Sequence, residues 1–279
     1  MILLGAHMSI AGGVHLALER GAELGCSTIQ IFVKNARSWR SKAYTQEVIA
    51  NFAENQRKTG IAPVVAHSIY LVNLATEARE LRERSIDDMR DEMSKCDQLN
   101  IPYLVLHPGT HQNEKIGLRL VAEALDELYS ERFRVSVTLE TTAGQGNNLG
   151  FRFEQIAEII ELAECGKNLS VCFDTCHVFA AGYELRTESG YERTFEEFNS
   201  IIGIEKLKVI HLNDSKYPLG SRRDRHEHIG KGELGLSAFS FIMNDKRFVG
   251  IPKILETPKG GGTEFDRMNI ETLLKLVKA

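Results

Sequence analysis

Six short apolar runs in this sequence each finish on a side chain that can bind a metal ion. Ala66 runs into His67, Leu106 into His107, Leu139 into Glu140, Phe173 into Asp174, Ile210 into His211 and Leu255 into Glu256. Two clusters extend the set. Asp174-Thr-Cys-His177 offers a second ligand three residues on. Asp224-Arg-His226-Glu-His228 alternates ligand types at i, i+2 and i+4, which in an extended chain point to one side. Imidazole nitrogen and carboxylate oxygen both suit zinc, at about 2.0–2.2 Å. One ion takes three or four protein ligands, so this set implies two or three ions. Bound metal of this kind activates water and neutralises charge, which is the chemistry of hydrolysis.

Taken singly, a His or Glu is more often a surface or hydrogen-bonding group, and His15 and His111 are read that way. The set is different. His, Asp and Glu make up 47 of 279 residues, so six chosen run ends would all carry one by chance with odds of roughly two in a hundred thousand. Even heavily discounted, that argues against packing as the explanation. Cys172 and Cys176 flank Asp174, but their spacing is not C-x-x-C and harder ligands adjoin them, so both are assigned to the core.

Something must bring these run ends together. Apolar runs rich in β-branched residues alternate with stretches of helical period, the mark of βα units and a parallel sheet. The expected strands are Ile2–Ala6, Thr28–Phe32, Pro63–Ala66, Tyr103–Leu106, Val135–Leu139, Leu169–Phe173, Lys208–Leu212 and Lys253–Leu255. Helices are expected at Gly13–Leu24, Thr45–Thr59, Glu77–Leu99, Glu114–Tyr129, Phe153–Ala163, Phe195–Ile202, Leu236–Met243 and Glu264–Val277. Eight strands, each followed by a helix, spell a (β/α)8 TIM-type barrel of the α/β class, where the carboxyl ends of the strands converge on one site. An open doubly wound sheet, which usually has fewer strands, is the competing arrangement.

Composition agrees. The chain has 279 residues, 43% of them hydrophobic and 26% charged, ordinary for a soluble globular protein and enough for one barrel. No linker divides it, so a single domain over residues 1–279 is expected. The N-terminus lacks a basic n-region and no apolar stretch approaches a membrane span of about 20 residues. Five scattered cysteines fit reduced core thiols in a cytoplasmic protein. With no obvious apolar face, a monomer is expected. A net charge of −4 excludes a generally basic nucleic-acid binder. Basic residues nevertheless gather after expected strands, at Lys34, Arg37, Arg40 and Lys42 and at Arg222, Arg223, Arg225 and Lys231, where a phosphate-binding role is expected.

The longer motifs are more specific. GAHMSIAGG opens the chain and ILETP nearly closes it. Between them stand FVKNARSW (32–39), HSIYLVNLA (67–75), LHPGTH (106–111), LETTAGQGNNLG (139–150), CFDTCHVFAAGY (172–183) and HLNDSKYPLGSRRDRHEHIGKGELG (211–235). In order and over nearly its whole length, the sequence resembles the endonuclease IV family of abasic-site DNA endonucleases. That resemblance implies three zinc ions. His67 and His107 would hold the first, with Glu140 bridging to a second completed by Asp174, His211 and Glu256, and His177, Asp224 and His226 would hold the third. Three such ions would shift the formal charge to about +2. The resemblance stops at His226, and His7 and His228 are expected to stand behind the ligands rather than among them. It also implies the reaction: zinc-activated hydroxide, aided by Glu140 and Glu256, hydrolyses duplex DNA 5′ to an abasic site, leaving a 3′-hydroxyl and a 5′-deoxyribose phosphate, and clears blocked 3′ ends. Arg37, Tyr70 and Leu71 match positions that enter the duplex at the lesion, and Arg225 is assigned to the phosphates. Two other readings predict different behaviour. A metal-dependent sugar isomerase or epimerase on a related barrel would turn over a free sugar, and a damaged-DNA binding module would bind without cutting.

Overall fold

The computed structural model describes residues 2–278. Among them are ten strands: β1 (Leu4–Ala6), β2 (Ile29–Phe32), β3 (Val64–His67), β4 (Tyr103–Leu106), β5 (Ser136–Glu140), β6 (Ser170–Asp174), β7 (Leu207–His211), β8 (Asp214–Ser215), β9 (His226–Glu227) and β10 (Lys253–Leu255). Eight of them pair in parallel in the order β1-β10-β7-β6-β5-β4-β3-β2, while β8 and β9 form a separate antiparallel pair. The sheet curls until β1 and β2 meet. Ser27 N–H reaches Leu4 O at 3.0 Å, Met8 N–H reaches Gln30 O at 2.8 Å, and His7 bridges Gln30 in parallel. Gly5 makes that seam possible, because a Cβ there would stand 1.7 Å from Thr28 O.

Side chains alternate across each strand. Val65, Val105, Cys172, Val209 and Ile254 fill the barrel interior as a buried cluster of their own. Two residues further along those strands lie His67, His107, Asp174, His211 and Glu256, so the same parity that packs the interior aims the ligands over its mouth. The opposite parity, including Ala66, Leu104, Leu139, Phe173, Ile210 and Leu255, belongs to the main core beneath the helices. Each such Leu, Ile or Phe stabilises the fold by about 1.5–3 kcal/mol when buried. All five cysteines are buried and unpaired.

The described residues also form nine helices around the sheet: α1 (Leu16–Glu23), α2 (Gln46–Thr59), α3 (Arg79–Gln98), α4 (Glu114–Tyr129), α5 (Phe153–Leu162), α6 (Thr175–Ala181), α7 (Glu188–Ile201), α8 (Gly235–Asn244) and α9 (Glu264–Leu274). Side-chain caps help start several of them. Thr45, Asn113 and Thr187 accept from the N–H groups of Val48, Ile116 and Gly190. The sequence-based bounds hold within a few residues except for α7, which begins seven residues before the expected Phe195. Its first half buries Gly190, Tyr191 and Thr194, a pattern too sparse in apolar residues to read as periodic. Helix α6 and the β8–β9 pair escape the sequence reading, being too short to show a period. Among the described residues no helix is long and apolar enough to cross a membrane.

Candidate metal centre

Glu140, the last residue of β5, is fully buried and sits at the middle of the ligand ring. Its Oε2 lies 3.1 Å from His67 Nε2 and 3.0 Å from His107 Nε2. Its Oε1 lies 3.0 Å from His211 Nδ1 and 3.3 Å from His177 Nδ1. His211 Nδ1 also faces Glu256 Oε2 at 3.2 Å and Asp174 Oδ2 at 3.7 Å. Beyond Asp174, Asp224 Oδ1 meets His177 Nε2 at 3.2 Å and His226 Nε2 at 3.7 Å, and His226 Nε2 is 3.7 Å from Asp174 Oδ2. All nine expected ligands therefore converge, and they fall into three neighbouring sets. His67, His107 and Glu140 form one; Glu140, Asp174, His211 and Glu256 another; His177 and His226 gather with Asp174 in the third, which Asp224 also touches.

Hydrogen bonds decide which ring nitrogens are free. A carbonyl oxygen can only accept, so His67 Nδ1 must donate to Ser68 O (2.7 Å), His177 Nδ1 to Thr141 O (2.8 Å) and His226 Nδ1 to Glu256 O (3.1 Å). Each leaves its Nε2 aimed into the site, facing a carboxylate. His211 is turned the other way, because its Nε2 meets Gln30 Oε1 at 2.8 Å and its Nδ1 faces the carboxylates. His177 Nε2 and His226 Nε2 are buried and lack a hydrogen-bond partner. Ligands around a tetrahedral zinc ion stand about 3.3–3.6 Å apart, close to the separations here. This donor set fits metal ions.

The electrostatics point the same way. Burial opposes charge on Glu140 and Glu256, yet His211 and the other imidazoles hold both carboxyls well below the usual range. Burial opposes protonation of His177 as well, but Asp174 and Asp224 raise it well above the ordinary value. Carboxylates and imidazoles thus supply one another's countercharge in one buried place. Cys172 also comes within reach of Glu140 and His211, but it packs with the valines of the barrel interior, and burial pushes its thiol up to about 12.

Two short elements complete the ring. Asp174 caps α6, accepting from His177 N–H at 2.8 Å through Oδ1, which brings His177 one turn round to the mouth. Strand β9 carries His226, and its partner strand β8 is anchored by Asp214. That buried carboxylate accepts from the N–H groups of Ser215, Gly230, Gly232 and Leu234 at 2.8–3.1 Å. The extended run ends at Glu227, so His228 does not continue the stripe. Its ring lies 4.6 Å from Phe265 and its Nδ1 is 3.1 Å from Asn269 Nδ2, which also donates to Thr257 Oγ1. His7 lies nearer, with Nδ1 3.6 Å from Glu256 Oε1.

Three orienting residues escape sequence reasoning. Gln30 donates to Glu256 Oε1 while accepting from His211, Asn213 donates to Asp174 Oδ2 at 2.6 Å and accepts from Glu256 N–H, and Thr141 Oγ1 accepts from Asp174 N–H. The available signal is a polar residue at the inward parity of an apolar strand, as in Ile29-Gln30-Ile31.

The mouth is a cavity of about 380 Å³ lined by Phe32, Tyr70, Thr257 and Lys259 beside the ligands. Tyr70 is 72% exposed and Leu71 38% exposed, and Arg37 and Arg225 are exposed too. Lys34 departs from expectation. It is buried and paired with Asp88, so it is not free to bind phosphate. His15 and His111, expected in solvent, are half-buried, and His111 Nε2 lies 3.1 Å from Glu77 Oε2.

A family model described as a xylose isomerase-like TIM barrel matches residues 18–277. A probable endonuclease 4 of Geobacter sulfurreducens is 50% identical over 99% of this chain and 94% of its own length. The corresponding protein of Geotalea daltonii is 48% identical over 99% and 98%. Among solved structures, endonuclease IV from Thermus thermophilus superposes with a TM-score of 0.87 at 36% identity, covering 98% of both chains. A D-tagatose 3-epimerase-like protein superposes at 0.75 with 19% identity over 99% of this chain and 97% of its own, which shows a shared fold alone.

Proposed function

The chain belongs to the endonuclease IV family and is a nuclease, and from that premise we propose that it hydrolyses duplex DNA on the 5′ side of abasic sites and trims blocked 3′ ends, using three zinc ions. The observation that carries this reading is the arrangement of imidazoles: four rings, each tied at one nitrogen by a fixed acceptor, turn the other toward shared carboxylates. His67, His107 and Glu140 would hold one ion, Glu140, Asp174, His211 and Glu256 a second, and His177, Asp224 and His226 a third. Zinc, when bound, lowers the pKa of water from 15.7 to about 7 and offsets phosphoryl charge.

The chain's own groups supply the rest. Gln30 donates to Glu256 Oε1 and fixes the carboxylate whose Oε2 faces His211, and that carboxylate would orient an attacking water and share its proton. Exposed Arg37 and Arg225 suit phosphates on either side of the mouth. Tyr70 and Leu71, both exposed, would fill the gap left in a base stack. An abasic nucleotide has no base to unpair, so turning it out costs less than the few kcal/mol an intact one requires, and a cavity of about 380 Å³ can receive it.

A duplex carrying one abasic site tests the reading. Incision should yield a 3′-hydroxyl and a 5′-deoxyribose phosphate, and should survive EDTA at ordinary assay concentrations. His107→Ala and Glu256→Gln should each abolish it while circular dichroism stays unchanged. One metal or fewer per chain, with no incision after zinc reconstitution, would overturn it.

A further inference from the structure

Helix α3 carries a polar stripe that neither the ligand ring nor the cavity uses. Ser85, Asp88, Glu92 and Lys95 are all at most 5% exposed on its inner face, at spacings of three and four that form one row. Burying charged groups costs more than burying apolar ones of similar size, so stability alone does not call for them. Their partners explain them.

One half of the row grips the loop after β2. Asp88 accepts from Lys34, whose Nζ also donates to Trp39 O at 3.2 Å. The Arg84 guanidinium stands 5.1 Å from the centroid of the Trp39 ring. The other half grips the loop after β3. Glu92 Oε1 accepts from Ile69 N–H at 3.2 Å, and Ser85 Oγ accepts from Asn73 N–H at 3.1 Å. The first loop presents Arg37, and the second presents Tyr70 and Leu71, directly beside Ile69. We infer that α3 is a common mount for the two loops that engage the duplex, and that Glu92 and Lys34 are positioning residues that hold those loops ready for a lesion. This rests on the abasic-site reading for its substrate, but not for its mechanics.

The test therefore has one arm without DNA. Amide hydrogen exchange is followed in the zinc-loaded full-length protein across residues 68–74 and 35–44. Glu92→Leu removes the acceptor for Ile69, and exchange across 68–74 should accelerate about tenfold, the loss of one net hydrogen bond. Glu92→Gln keeps a carbonyl oxygen in place and should restore slow exchange. In the second arm, Glu92→Leu should raise KM for the abasic duplex about tenfold while kcat stays within about twofold, because binding geometry is lost and the ligand ring is not. Unchanged exchange in Glu92→Leu would overturn the mount, and so would faster exchange with unaltered KM. A parallel fall in kcat with loss of zinc would show a general structural defect and overturn it too. If Glu92→Leu does not fold, Lys34→Met asks the same question of residues 35–44, with the same two readouts. Failure of the wild type to cut abasic DNA would sink the functional reading and leave the exchange result standing.

Discussion

At the scale of single residues, each ligand depends on a neighbour that fixes its orientation. Gln30 serves two at once, since it holds His211 Nε2 and Glu256 Oε1 with the two ends of one amide. Replacing it by Leu keeps the volume and removes both bonds. Incision of the abasic duplex should then fall about 10–100-fold, as is typical when a ligand's partner is lost, and activity within twofold of wild type would refute this role. A second residue makes a prediction far from the mouth. Lys253 is 3% exposed, donates to Phe248 O and Ile251 O, and is lowered by burial from 10.5 to about 8. Between those values the unfolded chain holds the proton and the folded one does not, so this group makes stability rise with pH; below pH 8 its cost is constant. Relative to Lys253→Met, the wild type should gain about 3 kcal/mol between pH 8 and 10.5. Urea midpoints across that range measure it, and parallel curves for the two proteins would contradict it.

At the scale of elements, the ring is assembled from pieces of unequal legibility. The six strand ends are visible in sequence because the strands are apolar, evenly repeated and followed by clear helices. Helix α6 and the β8–β9 pair are not, since seven residues and two pairs carry no readable period. They are held by tertiary hydrogen bonds instead. Asp174 caps α6, and Asp214 gathers four N–H groups around the β8–β9 pair. Those bonds terminate on a buried carboxylate, so Asp214→Ala should destabilise the protein by about 3 kcal/mol. It should also loosen β9 and with it His226. Elemental analysis would then find closer to two zinc ions than three; full zinc content at unchanged thermal stability would show that the pair holds itself.

At the scale of the whole molecule, a closed barrel does what no single element can. It focuses Glu140, Asp174, Asp224 and Glu256 onto one small volume in a chain whose net charge is only −4. Bringing four carboxylates together costs folding energy that bound cations would offset. Stability should therefore be linked to zinc. With free zinc at a hundredfold excess over Kd, each site should add about 2.7 kcal/mol, so chelated protein should unfold at a clearly lower temperature than reconstituted protein. Equal melting temperatures in differential scanning calorimetry would mean that the ring binds no metal of consequence. The sugar epimerase-like protein that shares the barrel does so at an identity that speaks to architecture alone.

What sequence alone determined was periodic or local. Strands and helices follow from hydrophobic patterning, and six apolar runs each end on a ligand type, which is why the candidate ligand set is legible without the fold. What only the tertiary structure decided was pairing at a distance. Gln30 reaches Glu256 across 226 residues and His211 across 181, and Lys34, counted in sequence with the phosphate binders, is claimed by Asp88 across 54. Charge in a sequence does not say whether it will meet solvent or a partner. That depends on which surfaces the closing barrel buries against each other, and it is why the ligands were legible while the residues that hold them in place were not.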